Sequence, residues 1–496
     1  MKVPVPFILA LDQSTSATKA LLFDSSGQLV DKTSVEHQQH YPQPGWVEHD
    51  AEEIYQNAIE ACRLLLQKNR PVAQEILCLS ITNQRETVVV FEKGSGQPLH
   101  HAIVWQCRRG SALCEELVRA GYDELARTKT GLRIDTYFPA SKLTWLFDHF
   151  PPIHEKLQSG EALFGTMDTY LIYRLTHGQV FASDYTNASR TLLYDIGKLR
   201  WDEELCQLFK VPFNSLATVN KCSATFGATV LGGVLDHPIP ICGIMGDSQA
   251  ALFAERCFRP GNAKVTLGTG SSVLLNIGEV FQLPIKGIVS TIGWINVAST
   301  AYAFEGIINY TGAVIAWLKD QLGLIAGVEE TAGIAAAVPD SGGVYLIPAF
   351  VGLSAPYWEP NARGAIVGLS PSTDKRHIVR AALESIAYQI KDVLVEMMTE
   401  AAIPLNVVYA DGGMVNNRFL LQLVADITQL NVRASTLPEL SALGAVLSGA
   451  LGMGLFGSLE ELERLPHGYI EYSPAMEPAV SEKCYEGWKA AIQRVL

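Results

Sequence analysis

No Cys-X-X-Cys pair occurs in this 496-residue chain, whose nine cysteines stand singly from Cys62 to Cys484. An odd, dispersed set in so long a chain reads as reduced core thiols rather than a disulfide framework. His-Glu-X-X-His is missing, so a zinc site made wholly by the protein is not supported. Gly-X-X-X-X-Gly-Lys-Ser/Thr is missing too, which argues against a P-loop. No apolar stretch reaches about 18 residues without a charge or a turn. The five-residue apolar run after Met1-Lys2-Val3-Pro4-Val5-Pro6 is too short for a signal peptide. The expectation is a soluble, cytoplasmic protein with no membrane insertion. Basic residues are also scarce: 38 Lys and Arg against 51 Asp and Glu leave a net charge of -13. That balance disfavours a nucleic-acid or anionic-membrane surface. It does not disfavour one bound nucleotide, which needs only local donors.

What is present suits a large folded enzyme. Nearly half the residues are apolar and eight are Trp, and at roughly 100–200 residues per domain the length allows two large domains. Short apolar runs at 7–11, 19–23 and 28–30, separated by polar turns, read as three strands in a meander. Residues 52–67 have helical spacing, and 76–81 and 88–92 return to strand character. Near the middle the arrangement recurs. An apolar run at 240–245 ends in Gly246-Asp247, a helix follows at 250–254, and strands at 263–267 and 273–276 flank Gly268-Thr269-Gly270-Ser271-Ser272. Further on, helices are expected at 307–318, 378–398 and 440–451, the last rich in small residues, and strands at 344–350 and 406–410. The two polar strand-to-strand turns, half a chain apart, suggest two related α/β halves facing each other. The boundary falls near 250–260, giving domains 1–255 and 256–496.

Three turns at strand ends carry the candidate chemistry. Asp12-Gln13-Ser14-Thr15-Ser16 places a carboxylate and small hydroxyls where a hydrated Mg²⁺ and phosphates can be held, with Lys19 close by. Gly268-Thr269-Gly270 lets the backbone approach a phosphate. Asp411-Gly412-Gly413, followed by Asn416 and Asn417 at a helix start, offers a flat glycine surface and a helix N-terminus. Each is equally an ordinary polar turn when taken alone. Asp247, at a strand end before a helix, is either a helix cap or a proton acceptor for a substrate hydroxyl. Arg85-Glu86 is either a surface ion pair or the donor and acceptor that a polyol needs. Gly452-Met453-Gly454-Leu455-Phe456-Gly457 has dinucleotide-motif spacing, but it follows a helix rather than a strand and reads as a chance match.

Longer stretches go further. Tyr41-Pro42-Gln43-Pro44-Gly45-Trp46-Val47-Glu48-His49-Asp50, Ile81-Thr82-Asn83-Gln84-Arg85-Glu86-Thr87, Ile103-Val104-Trp105-Gln106-Cys107-Arg108-Arg109 and Asp184-Tyr185-Thr186-Asn187-Ala188-Ser189-Arg190-Thr191 together resemble the glycerol kinase branch of the FGGY carbohydrate kinases. The likeness runs nearly end to end. It implies an α/β fold of two ribonuclease-H-like domains, of the actin and hexokinase type, flanking a nucleotide cleft. The 1–255 half would be the polyol side and the 256–496 half the nucleotide side. It further implies ATP and Mg²⁺, a small polyol or sugar substrate, and a homo-oligomer, dimer or tetramer. By position, Asp247 would be the catalytic base. Arg85, Glu86, Trp105 and Tyr137, with Ser248 and Ser272, would meet the polyol. Thr15, Ser16, Lys19, Gly268, Thr269, Gly312, Gly413 and Asn417 would meet the nucleotide. Asp12 and Asp247 would face Mg²⁺ through water.

Four positions depart from the family pattern. Ser14 stands for the usual Gly, Lys19 for Arg, Ser248 for Gln and Ser272 for Phe. The last two replace larger side chains with small hydroxyls on the substrate side, which removes on the order of 1.5–3 kcal/mol of apolar contact. They raise the alternative of a larger polyol or ketopentose, such as erythritol, a pentitol or xylulose. A non-enzymatic nucleotide switch of the actin type is the other class to test. Arg85-Glu86 with Trp105 and Tyr137 speak against it.

Overall fold

The computed structural model describes residues 6–285, 287–359 and 361–496, so Met1 to Val5 of the expected first domain lie outside the described residues. The first three strands are β1 (Phe7–Gln13), β2 (Ala17–Asp24) and β3 (Leu29–Glu36), joined as an antiparallel meander. Helix α1 (Ala51–Lys68) follows. Asp50 caps it by accepting from the amides of Glu52 and Glu53, and its buried stripe of Ile54, Ala58, Ala61 and Leu65 is the one its spacing predicts. Strand β4 (Ile76–Asn83) then lies parallel to β1, and β5 (Ile239–Gly246) parallel to β4. The order across the sheet is β3-β2-β1-β4-β5, with Thr225–Thr229 added at the β5 edge.

The second half repeats this order. Strands β6 (Asn262–Leu267), β7 (Ser271–Gly278) and β8 (Thr300–Ile308) form the meander. Strand β9 (Val407–Asp411) runs parallel to β6, and β10 (Val432–Ser435) parallel to β9. The order is β8-β7-β6-β9-β10, with Val289–Ile295 and Tyr469–Tyr472 at the edges. The two related halves read from the turn pattern are therefore present as topology, without a sequence repeat. A separate five-stranded sheet takes Gln39–His40 and Glu48–His49 from the stretch between β3 and α1 and its other three strands from the stretch between β4 and β5, which also carries several helices, and it has its own apolar cluster around Val104, Leu143 and Phe164.

Helix α2 (Asp247–Ala254) follows β5, and α6 (Leu440–Gly452) follows β10; between them in sequence lie α3 (Gly312–Asp320), α4 (Lys375–Ala401) and α5 (Arg418–Thr428). Although α6 belongs to the second half by sequence, it packs on α2 and on β1, β4 and β5 of the first. Its small residues have a steric cause. A Cβ at Gly444 would lie 1.9 Å from the Ala250 carbonyl oxygen, and one at Gly449 would lie 2.5 Å from Ser80 Oγ. Another apolar cluster, with Ile8, Phe23, Leu252, Trp294 and Leu443, joins the halves through this contact.

Two expected elements are corrected. The helix expected at 307–318 is a strand to Ile308 and a helix only from Gly312, because Ile307 and Ile308 pair with Ser272 and Ser271 in the sheet. The strand expected at 344–350 is confined to Tyr345–Ile347, paired with Ala365–Val367 in a separate ribbon. The 452–457 glycine run follows α6 with no strand before it. Gly452 is a packing glycine whose Cβ would lie 2.1 Å from the Ser223 carbonyl oxygen.

Candidate active site

Parallel strands leave their carboxyl ends on one edge of the sheet, and turn residues there face a common crevice. Asp12 aligns with Thr82, and Asn83 with Gly246, so the turns after β1, β4 and β5 start at one level. In the second half Thr266 aligns with Asp411, which brings the turns after β6 and β9 together. Gly412 makes that approach possible: at φ 94° its Cβ would lie 2.5 Å from the Leu267 carbonyl oxygen.

The turn after β4 carries Arg85 and Glu86, the latter at φ 61°, a conformation costly for a non-glycine residue. Arg85 is 4% exposed and its guanidinium is held on several sides. Nη2 donates to Glu305 Oε1 at 2.7 Å, Nη1 donates to Gln249 Oε1 at 3.1 Å, and Nε lies 3.3 Å from Asp247 Oδ1. Arg190, fully buried, closes the ring: Nε donates to Glu86 Oε1 at 2.7 Å and Nη1 lies 2.6 Å from Glu305 Oε2. Burial works to raise the Glu305 carboxyl, but the Arg190 and Arg85 guanidiniums outweigh it and hold it at about 2. For Glu86 burial prevails over the same two guanidiniums, and its carboxyl lies above the usual range. Such a buried ring holds only while every member is paired.

Of the three carboxylates around Arg85, Asp247 alone reaches solvent, its side chain 41% exposed against 2% for Glu86 and 0% for Glu305. It is the first residue of α2, and the Ser248 amide donates to its Oδ1 at 2.6 Å. Ser272 Oγ donates to Glu305 Oε1 at 3.1 Å, so a β7 residue of the second half enters the same network. Trp105 and Tyr137 meet edge to face with centroids 5.5 Å apart, and burial raises the Tyr137 phenol. Trp105 Nε1 donates to Thr15 Oγ1 at 3.0 Å, which ties the aromatic pair to the first turn.

In that turn, burial pushes the Asp12 carboxyl up to about 7, against the pull of Lys19 Nζ 3.9 Å away. Lys19 and Lys32 also donate to the two oxygens of Glu439 at 2.7 and 2.8 Å. Ser16 is exposed on the same turn. Across the crevice, the Gly268 carbonyl accepts from the Gly312 amide and the Thr269 carbonyl from the Ala313 amide, which fastens the glycine turn to the start of α3. Nothing lies within 4 Å of a Cβ built on Gly413, which leaves its face open. Asn417 caps α5 through the Leu420 amide and donates to Thr331 Oγ1 at 3.1 Å.

Arg190, Glu305 and Gln249 were not among the expected site residues. Glu305 did carry a signal, a lone acid inside the apolar run Tyr302-Ala303-Phe304-Glu305-Gly306-Ile307-Ile308. Its pairing with Arg85 and Arg190, remote in sequence, carried none. Among the described residues no group of three or more His, Cys, Asp or Glu is placed to hold a metal by itself. One or two carboxylates that share a cation with phosphates and water would fit Asp12 and Asp247.

Comparison with known proteins identifies the family and the fold. The N-terminal domain of the FGGY family of carbohydrate kinases matches residues 7–254 and its C-terminal domain matches 263–453. Glycerol kinase 1 of Thermotoga maritima is 47% identical over 490 residues, covering 99% of both chains. The glycerol kinase of Desulfitobacterium hafniense is 46% identical, again over 99% of both. The crystal structure of Plasmodium falciparum glycerol kinase with ADP superposes at a TM-score of 0.94 with 34% identity, covering 99% of this chain and 98% of that one. A xylulose kinase from Lactobacillus acidophilus, at 21% identity and a TM-score of 0.89, shares the fold. Matched in both halves and along nearly its whole length, this chain belongs to the FGGY family of carbohydrate kinases, enzymes of ATP-dependent phosphoryl transfer.

Proposed function

We propose that the enzyme transfers the γ-phosphoryl group of ATP to a primary hydroxyl of glycerol, giving glycerol 3-phosphate and ADP. The observation that carries this reading is the position of Asp247, the one solvent-reaching carboxylate beside a guanidinium that is otherwise fully engaged. Asp247 accepts the proton as the hydroxyl oxygen bonds to phosphorus and the bond to the bridging oxygen of ADP breaks. Arg85 and Glu86 orient the remaining hydroxyls, and Trp105 with Tyr137 forms the apolar wall for the carbon chain. Thr15, Ser16 and Lys19 face the phosphates from the first half. Gly268, Thr269 and Gly312 do so from the second, while Gly413 and Asn417 frame the purine. Mg²⁺ on the Asp12 side, through water and shared with Asp247, would offset phosphate charge. In this reading the 1–255 half is mainly the polyol side and the 256–496 half mainly the nucleotide side, in a cytoplasmic homo-oligomer, dimer or tetramer.

The test is ADP release with ATP and Mg²⁺ across glycerol, erythritol, threitol, xylitol, ribitol, xylulose, ribulose and dihydroxyacetone. The expected result is the highest kcat/KM with glycerol. A second reading, a longer polyol or ketopentose, is favoured by Ser272, a small hydroxyl that donates to Glu305 where the family pattern has Phe. A longer substrate preferred by about tenfold, roughly 1.4 kcal/mol of transition-state preference, would displace glycerol. Under that reading Ser272→Phe restores the glycerol preference.

A further inference from the structure

In the stretch from Asp184 to Arg190, the side chains of Asp184, Thr186 and Asn187 are fully buried and so stand outside the crevice. Asp184 caps a short helix, Tyr185–Ala188: Oδ2 accepts from the Thr186 amide at 2.8 Å and Oδ1 from the Asn187 amide at 3.0 Å. A cap needs no more than that. Three further donors nevertheless reach the same carboxylate: Thr186 Oγ1 at 2.7 Å, Asn187 Nδ2 at 2.8 Å and Cys222 Sγ at 3.2 Å.

The first two of these donors also reach the turns that carry the site. Asn187 and Asn83 exchange amide bonds: Asn83 Nδ2 donates to Asn187 Oδ1 at 2.9 Å, and Asn187 Nδ2 donates to Asn83 Oδ1 at 3.1 Å. Asn83 ends β4, just before Gln84-Arg85, and Arg190 of the same stretch donates to Glu86. Thr186 reaches the other turn. Its hydroxyl proton goes to Asp184, so its oxygen is left as an acceptor, and it takes the Gly246 amide at 2.8 Å. Gly246 also touches Arg85, since a Cβ there would lie 2.8 Å from Arg85 Cγ. Its peptide thus lies against both Thr186 and Arg85. The next residue is Asp247, whose Oδ1 lies 3.3 Å from Arg85 Nε.

We infer that Thr186, its hydroxyl aligned by Asp184, sets the place of Asp247 through the Gly246 amide, which makes Asp184 and Thr186 positioning residues for phosphoryl transfer. A threonine hydroxyl turns to suit its neighbours, and the buried carboxylate removes that freedom. Burial works to raise the Asp184 carboxyl, and the donors from Thr186, Asn187 and Cys222 oppose it. The Asp247 side chain is 41% exposed, so its placement depends on the main chain beneath it. A shift on the order of 1 Å in a group that takes part in the reaction costs roughly 10²-fold in rate. The same buried stretch therefore braces both the Arg85-Glu86 turn and the turn that presents Asp247.

The inference rests on Asp247 as the proton acceptor, and a double-mutant cycle on the full-length enzyme separates the two. Thr186→Val keeps the shape and removes both hydroxyl bonds. It is expected to lower kcat roughly tenfold to hundredfold, with KM for glycerol and for MgATP within about twofold. Thr186→Ser, which keeps the hydroxyl, is expected to recover most of that loss. In an Asp247→Asn enzyme the same Thr186→Val change is expected to cost less than about threefold, because the group it positions is gone. Equal losses in the two backgrounds, or a Ser variant no better than Val, overturn the positioning role, since a merely structural bond acts on either enzyme alike. Should the Val chain not fold, Thr186→Ala enters the same cycle. Asp247→Asn with unaltered kcat overturns the proton-acceptor reading and this inference with it, whereas a lowered kcat with additive losses overturns this inference alone.

Discussion

The two meanders share one strand order and hold their turns by different means. The Gly268-Thr269-Gly270 turn between β6 and β7 is held by main chain. Its carbonyls accept from Gly312, Thr311 and Ala313, and a Cβ on Gly270 would lie 2.6 Å from the Ile308 carbonyl oxygen. The turn between β1 and β2 has no glycine and adds side chains to its main-chain bonds, among them the Ser14 amide donating to the Ala17 carbonyl at 2.9 Å. Ser14 Oγ donates to the Ala17 carbonyl at 2.8 Å, Trp105 to Thr15 Oγ1, and the Thr15 carbonyl lies 2.9 Å from His37. Without a Cβ, backbone can approach backbone and bond directly. With one, the gap is bridged by longer polar and aromatic side chains. Asp12, Lys19, Arg85, Glu86 and Asp247 lie on the first half, while the second adds Glu305, amides and open glycine faces.

The comparison breaks most sharply after the fifth strand of each unit. Asp247 follows β5 and reaches solvent, whereas after β10 the acid is Glu439, committed to Lys19 and Lys32. Asp247→Asn is expected to lower kcat by about 10²–10⁴-fold, the range of a lost general base, with KM for glycerol changed only a few-fold, as read by ADP release. An unaltered kcat would place the proton acceptor elsewhere. A smaller effect is expected from the backbone-held turn. In Gly312→Ala the new Cβ would lie 2.7 Å from the Gly268 carbonyl oxygen, so the turn or α3 has to shift. KM for MgATP is expected to rise roughly tenfold with KM for glycerol unchanged, and stability to fall by about 1–3 kcal/mol in denaturant titration.

A pH-dependent effect sharpens the charge difference. The Asp12 carboxyl ionises near 3.8 in an unfolded chain and at about 7 when folded. The folded state therefore binds the extra proton, and stability without nucleotide falls as pH rises from about 4 to 7. Asp12→Asn removes that slope. It is expected to match the wild type near pH 4 and exceed it at pH 8 by an amount on the order of a few kcal/mol. Its KM for MgATP should be higher at pH 8, where the wild-type carboxylate is charged. Equal stability of the two proteins across this range would mean that Asp12 is not desolvated.

Strand ends, turns and helix faces were legible because they rest on local chemistry. Asp50 before a helical stripe, Gly246-Asp247 after an apolar run, and the three acid or glycine turns all appear where spacing placed them. The segment at 307–318 misled because Gly306-Ile307-Ile308 is apolar without a period that separates a buried strand from a helix. The family likeness supplied positions for Asp247, Arg85 and Glu86 but no place for Glu305 or Arg190. These meet only because β8 of one half faces the turn after β4 of the other.

By itself the sequence determined most strands and helices of the two meanders, which turns carry acids, hydroxyls or glycines, and, through long matching stretches, the kinase family. Each of these is decided within a few neighbouring residues or by likeness along the chain. Only the tertiary structure decided that α6 is built of small residues to lie against Ala250 and Ser80, that Glu305 pins Arg85, and that Thr186 meets the Gly246 amide. The reason is physical: such pairings join segments far apart in sequence, and the balance of charge, burial and hydrogen bonding that makes them stable exists only once the sheets are formed.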